Sequence, residues 1–159
     1  KTFNARSETV HEKPSFKAAF NLRRCLIPAS GFYEWDKLGG SRQPYYISRS
    51  DGRPLALAGL WEAWADRQSG EVLESCTILT TAANQTLGRI HDRMPVILEQ
   101  DDCGLWLDHR VQRTEELTGL VRPAAEEILQ MSPVSTYVNK VGHEGPACIT
   151  PSGGAILNF

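Results

Sequence analysis

The sequence has no apolar run that approaches the length of a membrane span, and its first residues lack the pattern of a signal peptide. Its 4 cysteines are widely scattered, and no two of them form a C-x-x-C pair. This spacing argues against a zinc site and against the disulfide framework of a small secreted domain. Cys25 and Cys76 lie in apolar strand-like runs, so we expect them to pack in the core. These features predict a protein of the reducing cytosol.

Several catalytic motifs are also missing. The chain contains no glycine-rich phosphate loop, no G-x-S-x-G elbow and no H-E-x-x-H pair. The net charge of −2 gives no general sign of nucleic-acid binding. However, residues 1–70 carry 11 Lys and Arg against 7 Asp and Glu, whereas residues 71–159 carry 6 against 12. This asymmetry fits a local basic surface, and it equally fits an unevenly charged solvated surface.

The length of 159 residues predicts a single domain over residues 1–159. Because the chain starts without Met in sequence that is already strand-like, we expect this domain to lack its N-terminal portion. Apolar runs alternate with short turns up to residue 81, which is typical of a β-meander, and helical patterns follow. The predicted fold is α+β, with a curved antiparallel sheet or open β-barrel and peripheral short helices. Strands are predicted at 25–35, 44–47, 55–64, 72–81 and 132–138, a hairpin turn at 36–42, and helices at 14–20, 82–87, 101–107, 113–121 and 124–129.

The stretch Gly31-Phe32-Tyr33-Glu34-Trp35 places one carboxylate among three aromatic rings. Strand alternation puts Phe32 and Glu34 on one face and Tyr33 and Trp35 on the other. Glu34 is then solvated, paired with another group, or held partly dry with a raised proton affinity. The last state is how a fold obtains a general acid near neutral pH. The stretch by itself leaves all three alternatives open.

Two further polar stretches are candidates for chemistry. Alternation along Asn4-Ala5-Arg6 predicts that Asn4 and Arg6 share a strand face. The segment from Thr80 to Pro95 contains His91, whose reference pKa of about 6.5 suits a proton carrier. Each residue also has a structural explanation: a histidine that only packs, arginines that are solvated or ion-paired, or an asparagine that serves backbone groups at a strand end.

Five motifs in order resemble the SRAP (SOS-response-associated peptidase) family. They are N-A-R-S-E-T, R-R-C-L-I-P-A-S-G-F-Y-E-W, A-L-A-G-L-W-E, T-I-L-T-T-A-A-N and H-D-R-M-P-V-I-L. The resemblance runs from about Asn4 to about Asn139, and five motifs in register are highly specific. Members of this family include proteins that shield abasic sites in DNA by covalent cross-linking.

The resemblance implies a nucleophile that the given residues do not contain. Family members carry a cysteine directly after the initiator Met, which becomes the N-terminal residue. Its amine condenses with the aldehyde of a ring-opened abasic deoxyribose, and its thiol closes a thiazolidine ring. None of the 4 cysteines of this chain can substitute, because none has a free α-amine. The chain by itself is therefore expected to be inactive in cross-linking.

The resemblance also implies catalytic roles at four matching positions. Asn4, in N-A-R, is similar to the family residue that orients the amine or the sugar hydroxyls. Glu34, in G-F-Y-E-W, is similar to the family acid/base that protonates the ring oxygen as the sugar opens. His91, in H-D-R-M-P, is similar to the histidine that positions the opened sugar and assists proton transfer or reversal. Thr80, in T-T-A-A, is expected to support them by hydrogen bonding.

Three further matching positions are implied to contact DNA. Arg6 and Arg93 resemble phosphate-binding residues, a role that suits the bidentate geometry of a guanidinium. Trp35 resembles a platform on which the base next to the lesion stacks, and such stacking tolerates any base. These contacts predict single-strand or junction binding without sequence preference and with a strong salt dependence.

The implied function is covalent capping of abasic sites in single-stranded DNA. Two alternatives stay open: a thiol peptidase that uses the same N-terminal cysteine, for which its own N-terminus is one substrate, and a non-covalent reader of modified DNA. We expect no cofactor, no metal and no membrane association. The protein is expected to be a monomer in the cytoplasm, associated with the nucleoid when it acts, or nuclear in a eukaryote.

Overall fold

A computed structural model describes residues 3–36, 42–111 and 114–153. The chain divides into two compact units that interleave along the sequence. Unit 1 comprises Lys1–Pro28, Ala56–Ala82 and Pro95–Pro123, and unit 2 comprises Ala29–Leu55, Ala83–Met94 and Ala124–Phe159. That residues 1–159 form one domain stays a prediction.

Short strands and short helices make up both units. The strands are β1 (Asn4–Arg6), β2 (Arg24–Ala29), β3 (Phe32–Trp35), β4 (Pro44–Arg49), β5 (Leu55–Ala65), β6 (Val72–Ala82), β7 (Arg93–Pro95), β8 (Ile97–Leu98) and β9 (Leu129–Pro133). The helices are α1 (Pro14–Leu22), α2 (Gln100–Leu107) and α3 (Thr114–Leu120), with 3-10 turns at Leu87–Arg89, Glu126–Ile128, Thr136–Asn139 and Pro146–Ile149. The predicted α+β class with peripheral short helices is confirmed.

The sheet of unit 1 has the strand order β1-β6-β5-β2, and β8 also pairs with β5. The long strands β5 and β6 are antiparallel, with Gly59 opposite Ile78. The pairing of β1 with β6 is parallel, which the expectation of an antiparallel sheet did not include. Helix α1 begins with Pro14 in its first turn, where proline's missing N–H costs nothing, and it buries Ala19 and Phe20. The core of unit 1 forms between these strands and helices.

Arg24 joins several chain segments within unit 1. Its guanidinium is buried and donates hydrogen bonds to carbonyl oxygens from three segments of the chain. Burial is the main cause that lowers the pKa of Arg24, while Asp108 acts in the opposite direction. The Trp106 indole N–H donates to the Cys25 carbonyl at 2.9 Å, and its ring meets Phe20 edge to face. The carbonyls that accept from Arg24 belong to Phe20, Asn21, Trp106, Asp108 and Val111.

The sheet of unit 2 has the order β3-β4-β9, with both pairings antiparallel. Its register sets Glu34 opposite Tyr45 and Phe32 opposite Ile47. Glu126 supports a neighbouring loop of the unit, because its carboxylate accepts hydrogen bonds from the backbone N–H groups of Gln85 and Thr86 and from the Thr86 hydroxyl. This small sheet carries the G-F-Y-E-W stretch.

The prediction of one strand over residues 25–35 is wrong. The chain forms β2 and β3 instead, and these strands belong to different sheets. The break falls at Ser30 and Gly31, which lie outside both strands. Gly31 packs so closely that an added Cβ would lie 2.4 Å from the Ile47 carbonyl oxygen. The apolar pattern continues across this break, which is why the sequence conceals it.

Other predicted elements also differ from the structure. The predicted helix at 82–87 is a 3-10 turn over Leu87–Arg89, and the helix at 124–129 reduces to Glu126–Ile128 before β9 begins. The returning strand ends at Pro133 rather than at 138, because Thr136–Asn139 forms a 3-10 turn. Cys76 is exposed rather than packed in the core. The hairpin turn at 36–42 lies largely outside the described residues.

Candidate active site

Glu34 and His91 come together in unit 2. Strand β3 carries Glu34, and His91 lies just before β7. Oε2 of Glu34 is 3.9 Å from Nε2 of His91, and the two side chains are 22% and 16% exposed. Of the three sequence alternatives for Glu34, the structure excludes full solvation, because the side chain is only 22% exposed and lies beside His91. Glu34 therefore lies next to His91, the other residue for which the family resemblance implies proton transfer.

The second ring nitrogen of His91 has both a donor and an acceptor within reach. In the tautomer that carries its proton on Nε2, Nδ1 accepts a hydrogen bond from the Arg93 backbone N–H at 3.0 Å, and the Nε2 proton faces Glu34. The Arg93 carbonyl oxygen lies 3.1 Å from the same Nδ1, and an Asp92 carboxylate oxygen lies 3.4 Å away. A doubly protonated ring therefore also has acceptors. Both tautomers of the His91 ring therefore have a backbone partner at Nδ1.

Three aromatic side chains of β3 and β4 lie close to one another. The ring of Tyr33 lies 6.4 Å from that of Trp35 and 5.4 Å from that of Tyr46. Burial is the main cause that raises the pKa of both Tyr33 and Tyr46, so both remain neutral phenols at physiological pH.

Trp35 has a hydrogen-bond partner that the sequence did not reveal. Its indole Nε1 donates to Oδ1 of Asn139 at 2.7 Å. Asn139 ends the 3-10 turn Thr136–Asn139, a region that the sequence assigned to the sheet and to a terminal loop. The two residues are 104 positions apart, so no local pattern links them. The only available signal was that Asn139 lies at the end of the stretch covered by the family resemblance.

Arg93, the fourth predicted residue of unit 2, is half-buried in β7. Its backbone N–H and carbonyl oxygen both lie next to Nδ1 of His91. A phosphate contact by the Arg93 guanidinium stays a prediction.

The remaining predicted residues lie together in unit 1. Asn4 and Arg6 are both exposed and flank buried Ala5, so the prediction that they share a strand face is confirmed. Arg6 is opposite Thr80 in the parallel pairing of β1 with β6, and the Thr80 hydroxyl lies 3.4 Å from the Ala5 carbonyl. Thr80 is half-buried. That this group acts together with Glu34 and His91 stays a prediction.

The described residues give two further findings about binding. Within residues 3–36, 42–111 and 114–153, no group of three or more His, Cys, Asp and Glu side chains is arranged to hold a metal ion. No helix in this part of the chain has the length and apolar character needed to cross a membrane.

Relatives with this sequence pattern carry descriptive names. The chain is 38% identical over 171 residues to "Abasic site processing protein HMCES" of Gallus gallus, covering 95% of this chain and 50% of that protein. It is 38% identical over 150 residues to "Abasic site processing protein YoqW" of Bacillus subtilis (strain 168), covering 94% and 66%. The chain thus spans about half to two thirds of the length of these relatives.

Solved structures and a family model agree with this similarity. A protein from Bacteroides thetaiotaomicron matches with a TM-score of 0.87 and 31% identity, over 95% of this chain and 66% of that one. A protein from Bordetella bronchiseptica matches with a TM-score of 0.74 and 33% identity, over 83% and 64%. The family model described as "SOS response associated peptidase (SRAP)" matches residues 1–141. The chain belongs to the SOS response associated peptidase (SRAP) family.

Proposed function

We propose that the protein to which these residues belong acts in the DNA damage response, by binding single-stranded DNA and cross-linking itself to abasic sites. The relatives' name, abasic site processing protein, supports the substrate. The observation that carries the proposed chemistry is the partly buried pairing of Glu34 with His91. The nucleophile is a cysteine at the mature N-terminus, outside residues 1–159.

The proposed reaction begins with opening of the abasic sugar. Glu34, as the acid, donates a proton to the ring oxygen while the anomeric hydroxyl loses its proton, so that the carbon–oxygen bond breaks and an aldehyde forms. The cysteine amine adds to the aldehyde carbon, and loss of one water leaves an imine. The thiol then adds to the imine carbon and its proton passes to the nitrogen, which closes the thiazolidine. The net change is the release of one water.

In this scheme, His91 is proposed to transfer protons to and from the substrate. With Nδ1 held by the Arg93 backbone N–H, the Nε2 proton of the neutral ring faces Glu34 and any sugar oxygen between them. The ring can hold the opened sugar and return protons during condensation or reversal. Asn4 and Thr80 are proposed to orient the amine or the sugar hydroxyls, and both belong to the adjoining strands β1 and β6.

DNA binding is proposed to combine phosphate and stacking contacts. Arg6 is exposed on β1 and Arg93 is half-buried in β7, and each guanidinium suits a phosphate oxygen pair. Trp35 is half-buried on β3, and its ring is proposed to stack on the base next to the lesion. Such contacts do not distinguish one base from another, so the affinity should not depend on base composition. Because part of the affinity comes from phosphate contacts, it should fall as the salt concentration rises.

The test uses the full-length protein with its natural N-terminus and a single-stranded oligonucleotide that holds one abasic site. We expect an adduct that survives denaturing electrophoresis. It should disappear when the abasic aldehyde is first reduced to an alcohol, and when the N-terminal cysteine is replaced by serine. Absence of an adduct with the intact abasic strand would refute the proposal.

The family description favours a second candidate, a peptidase that uses the same N-terminal cysteine. The same preparation distinguishes the two. Cleavage of peptides or of its own N-terminus, with no adduct on the abasic strand, would favour the peptidase. Salt-sensitive binding to modified strands with neither adduct nor cleavage would instead indicate a non-covalent reader. The enzyme would be of the lyase-like, cross-link-forming type only in the first case.

A further inference from the structure

We propose that Asn139 is a positioning residue, which fixes the indole of Trp35 so that its ring is ready to stack on a DNA base. This inference rests on the proposed function, because it concerns how the same protein holds its DNA strand. It assigns a DNA-binding task to the 3-10 turn Thr136–Asn139, which lies more than 100 residues after Trp35 in the chain.

The contact itself is short and specific. The Trp35 indole N–H is that side chain's only hydrogen-bonding group, and it donates to Oδ1 of Asn139 at 2.7 Å. Tyr33 limits the ring on another side, at a centroid distance of 6.4 Å. A planar ring held by one directional bond and one neighbouring ring has few remaining rotamers. Trp35 is therefore held in one orientation before any strand binds.

The turn that carries Asn139 is itself anchored within unit 2. The Ser135 hydroxyl accepts a hydrogen bond from the Tyr137 backbone N–H. The Ser135 backbone N–H donates to the Thr150 carbonyl oxygen at 2.8 Å. The His143 ring stacks on Tyr137, with centroids 3.8 Å apart, and its Nδ1 lies 2.7 Å from the Tyr137 carbonyl oxygen. These contacts hold the turn before and after its centre. Asn139 is exposed, but the turn that presents its amide oxygen to Trp35 is held by these contacts.

The functional consequence concerns binding more than chemistry. A rotamer-rich side chain that becomes ordered only on binding weakens the complex, whereas one that is ordered beforehand does not. Removing the Asn139 acceptor frees the indole, so the strand must order it on binding. We expect a loss of affinity of about two- to ten-fold, the range associated with one immobilised side chain. The rate of adduct formation at saturating DNA should change little.

The experiment is a double-mutant cycle in the full-length protein, with an undamaged single-stranded oligonucleotide as the probe. Trp35→Phe keeps a stacking ring but removes the N–H donor. Asn139→Ala should weaken binding about two- to ten-fold in the wild-type background and have no further effect in the Trp35→Phe background. The matched control is Val141→Ala, two residues away on a fully exposed side chain, which should bind like wild type.

A spectroscopic readout separates positioning from loss of structure. Four tryptophans give four indole N–H resonances, and the one absent from Trp35→Phe belongs to Trp35. That resonance should shift and exchange faster with solvent in Asn139→Ala, while the other three stay in place. Unchanged affinity in Asn139→Ala, or an equal loss in both backgrounds, would overturn the inference and leave the proposed function standing. A wild-type protein that does not bind the strand would overturn both.

Discussion

Nε2 of His91 lies 3.9 Å from Oε2 of Glu34, a distance longer than a direct hydrogen bond. Both side chains are less than a quarter exposed, so the two groups are partly sheltered from solvent. A sugar oxygen within hydrogen-bonding distance of both groups would meet a carboxyl group and an imidazole nitrogen. The couple is therefore suited to moving a proton onto or off a substrate oxygen, and less suited to acting as a structural ion pair.

Glu34→Gln tests the carboxyl half of this couple. The amide keeps the shape and one acceptor oxygen, but it replaces the other oxygen by an N–H donor and cannot transfer a proton. We expect adduct formation at saturating DNA to slow by about 100-fold or more, the lower end of what general acid–base groups contribute. Measured affinity for an undamaged single strand should stay within about two-fold of wild type, because phosphate and stacking contacts supply it.

The Glu34→Gln result is decisive in either direction. Full-length wild type and mutant are compared by quenched time courses on the same abasic oligonucleotide. Equal rates would remove Glu34 from the mechanism. Parallel losses of rate and of strand affinity would indicate that Glu34 organises the surface instead of transferring a proton.

His91→Ala tests the other half, and the double mutant with Glu34→Gln tests the coupling. If the two groups act on one proton, the losses will not add: the double mutant should be about as slow as the slower single mutant. The readout is the rate of adduct formation together with the rate of reversal in excess competitor aldehyde. Unaltered rates for His91→Ala would return this residue to a structural role, and fully additive losses would separate the two functions.

Arg24→Met tests the carbonyl cluster in unit 1. The methionine fills similar volume but leaves the carbonyls of Phe20, Trp106 and Asp108 without their charged donor. Because hydrogen bonds to charged groups contribute about 1.5–3 kcal/mol each, we expect the free energy of unfolding to fall by about 3 kcal/mol or more. Denaturant unfolding of the full-length protein measures this change.

Arg110→Met is the matched control for Arg24→Met. Arg110 pairs with Asp108 from a side chain that is 81% exposed, so its loss should leave the free energy of unfolding close to that of the wild type. Similar losses at both positions would show that burial of the Arg24 guanidinium is not what matters.

The sequence predicted those parts of the fold that local patterns encode. Helix α1 follows from Pro14 at its start and from apolar residues at helical spacing, and the long strands β5 and β6 follow from apolar runs that end at turn residues. The shared face of Asn4 and Arg6 follows from the two-residue period of a strand. These features depend on neighbours in the chain, which the sequence displays directly.

Contacts between distant segments account for what the sequence did not predict. The break between β2 and β3 depends on the approach of Gly31 to Ile47, and the orientation of Trp35 depends on Asn139. The parallel pairing of β1 with β6 joins Arg6 to Thr80, 74 positions later. Strand alternation alone does not predict how exposed the Glu34 side chain is, because its exposure depends on the position of His91, which is distant in the sequence.

Gly31→Ala tests the close approach that bends the chain into β3. An alanine Cβ at this position would lie 2.4 Å from the Ile47 carbonyl oxygen and 2.5 Å from Cζ of Tyr46. The backbone oxygen belongs to the paired strand β4 and cannot move without disturbing the register that holds Glu34 opposite Tyr45. We therefore expect a loss of about 2–3 kcal/mol in the free energy of unfolding, as for other overpacked sites.

Gly104→Ala provides a control in which the same substitution should have the opposite sign. Gly104 lies inside α2, and an added Cβ there has no neighbour within 4 Å. Alanine should stabilise the helix by about 0.5–1 kcal/mol, because it loses less backbone freedom on folding than glycine does. Unfolding midpoints measured side by side should move in opposite directions. If Gly31→Ala is neutral, the strand break is determined by its neighbours and not by the space that only glycine leaves beside Ile47.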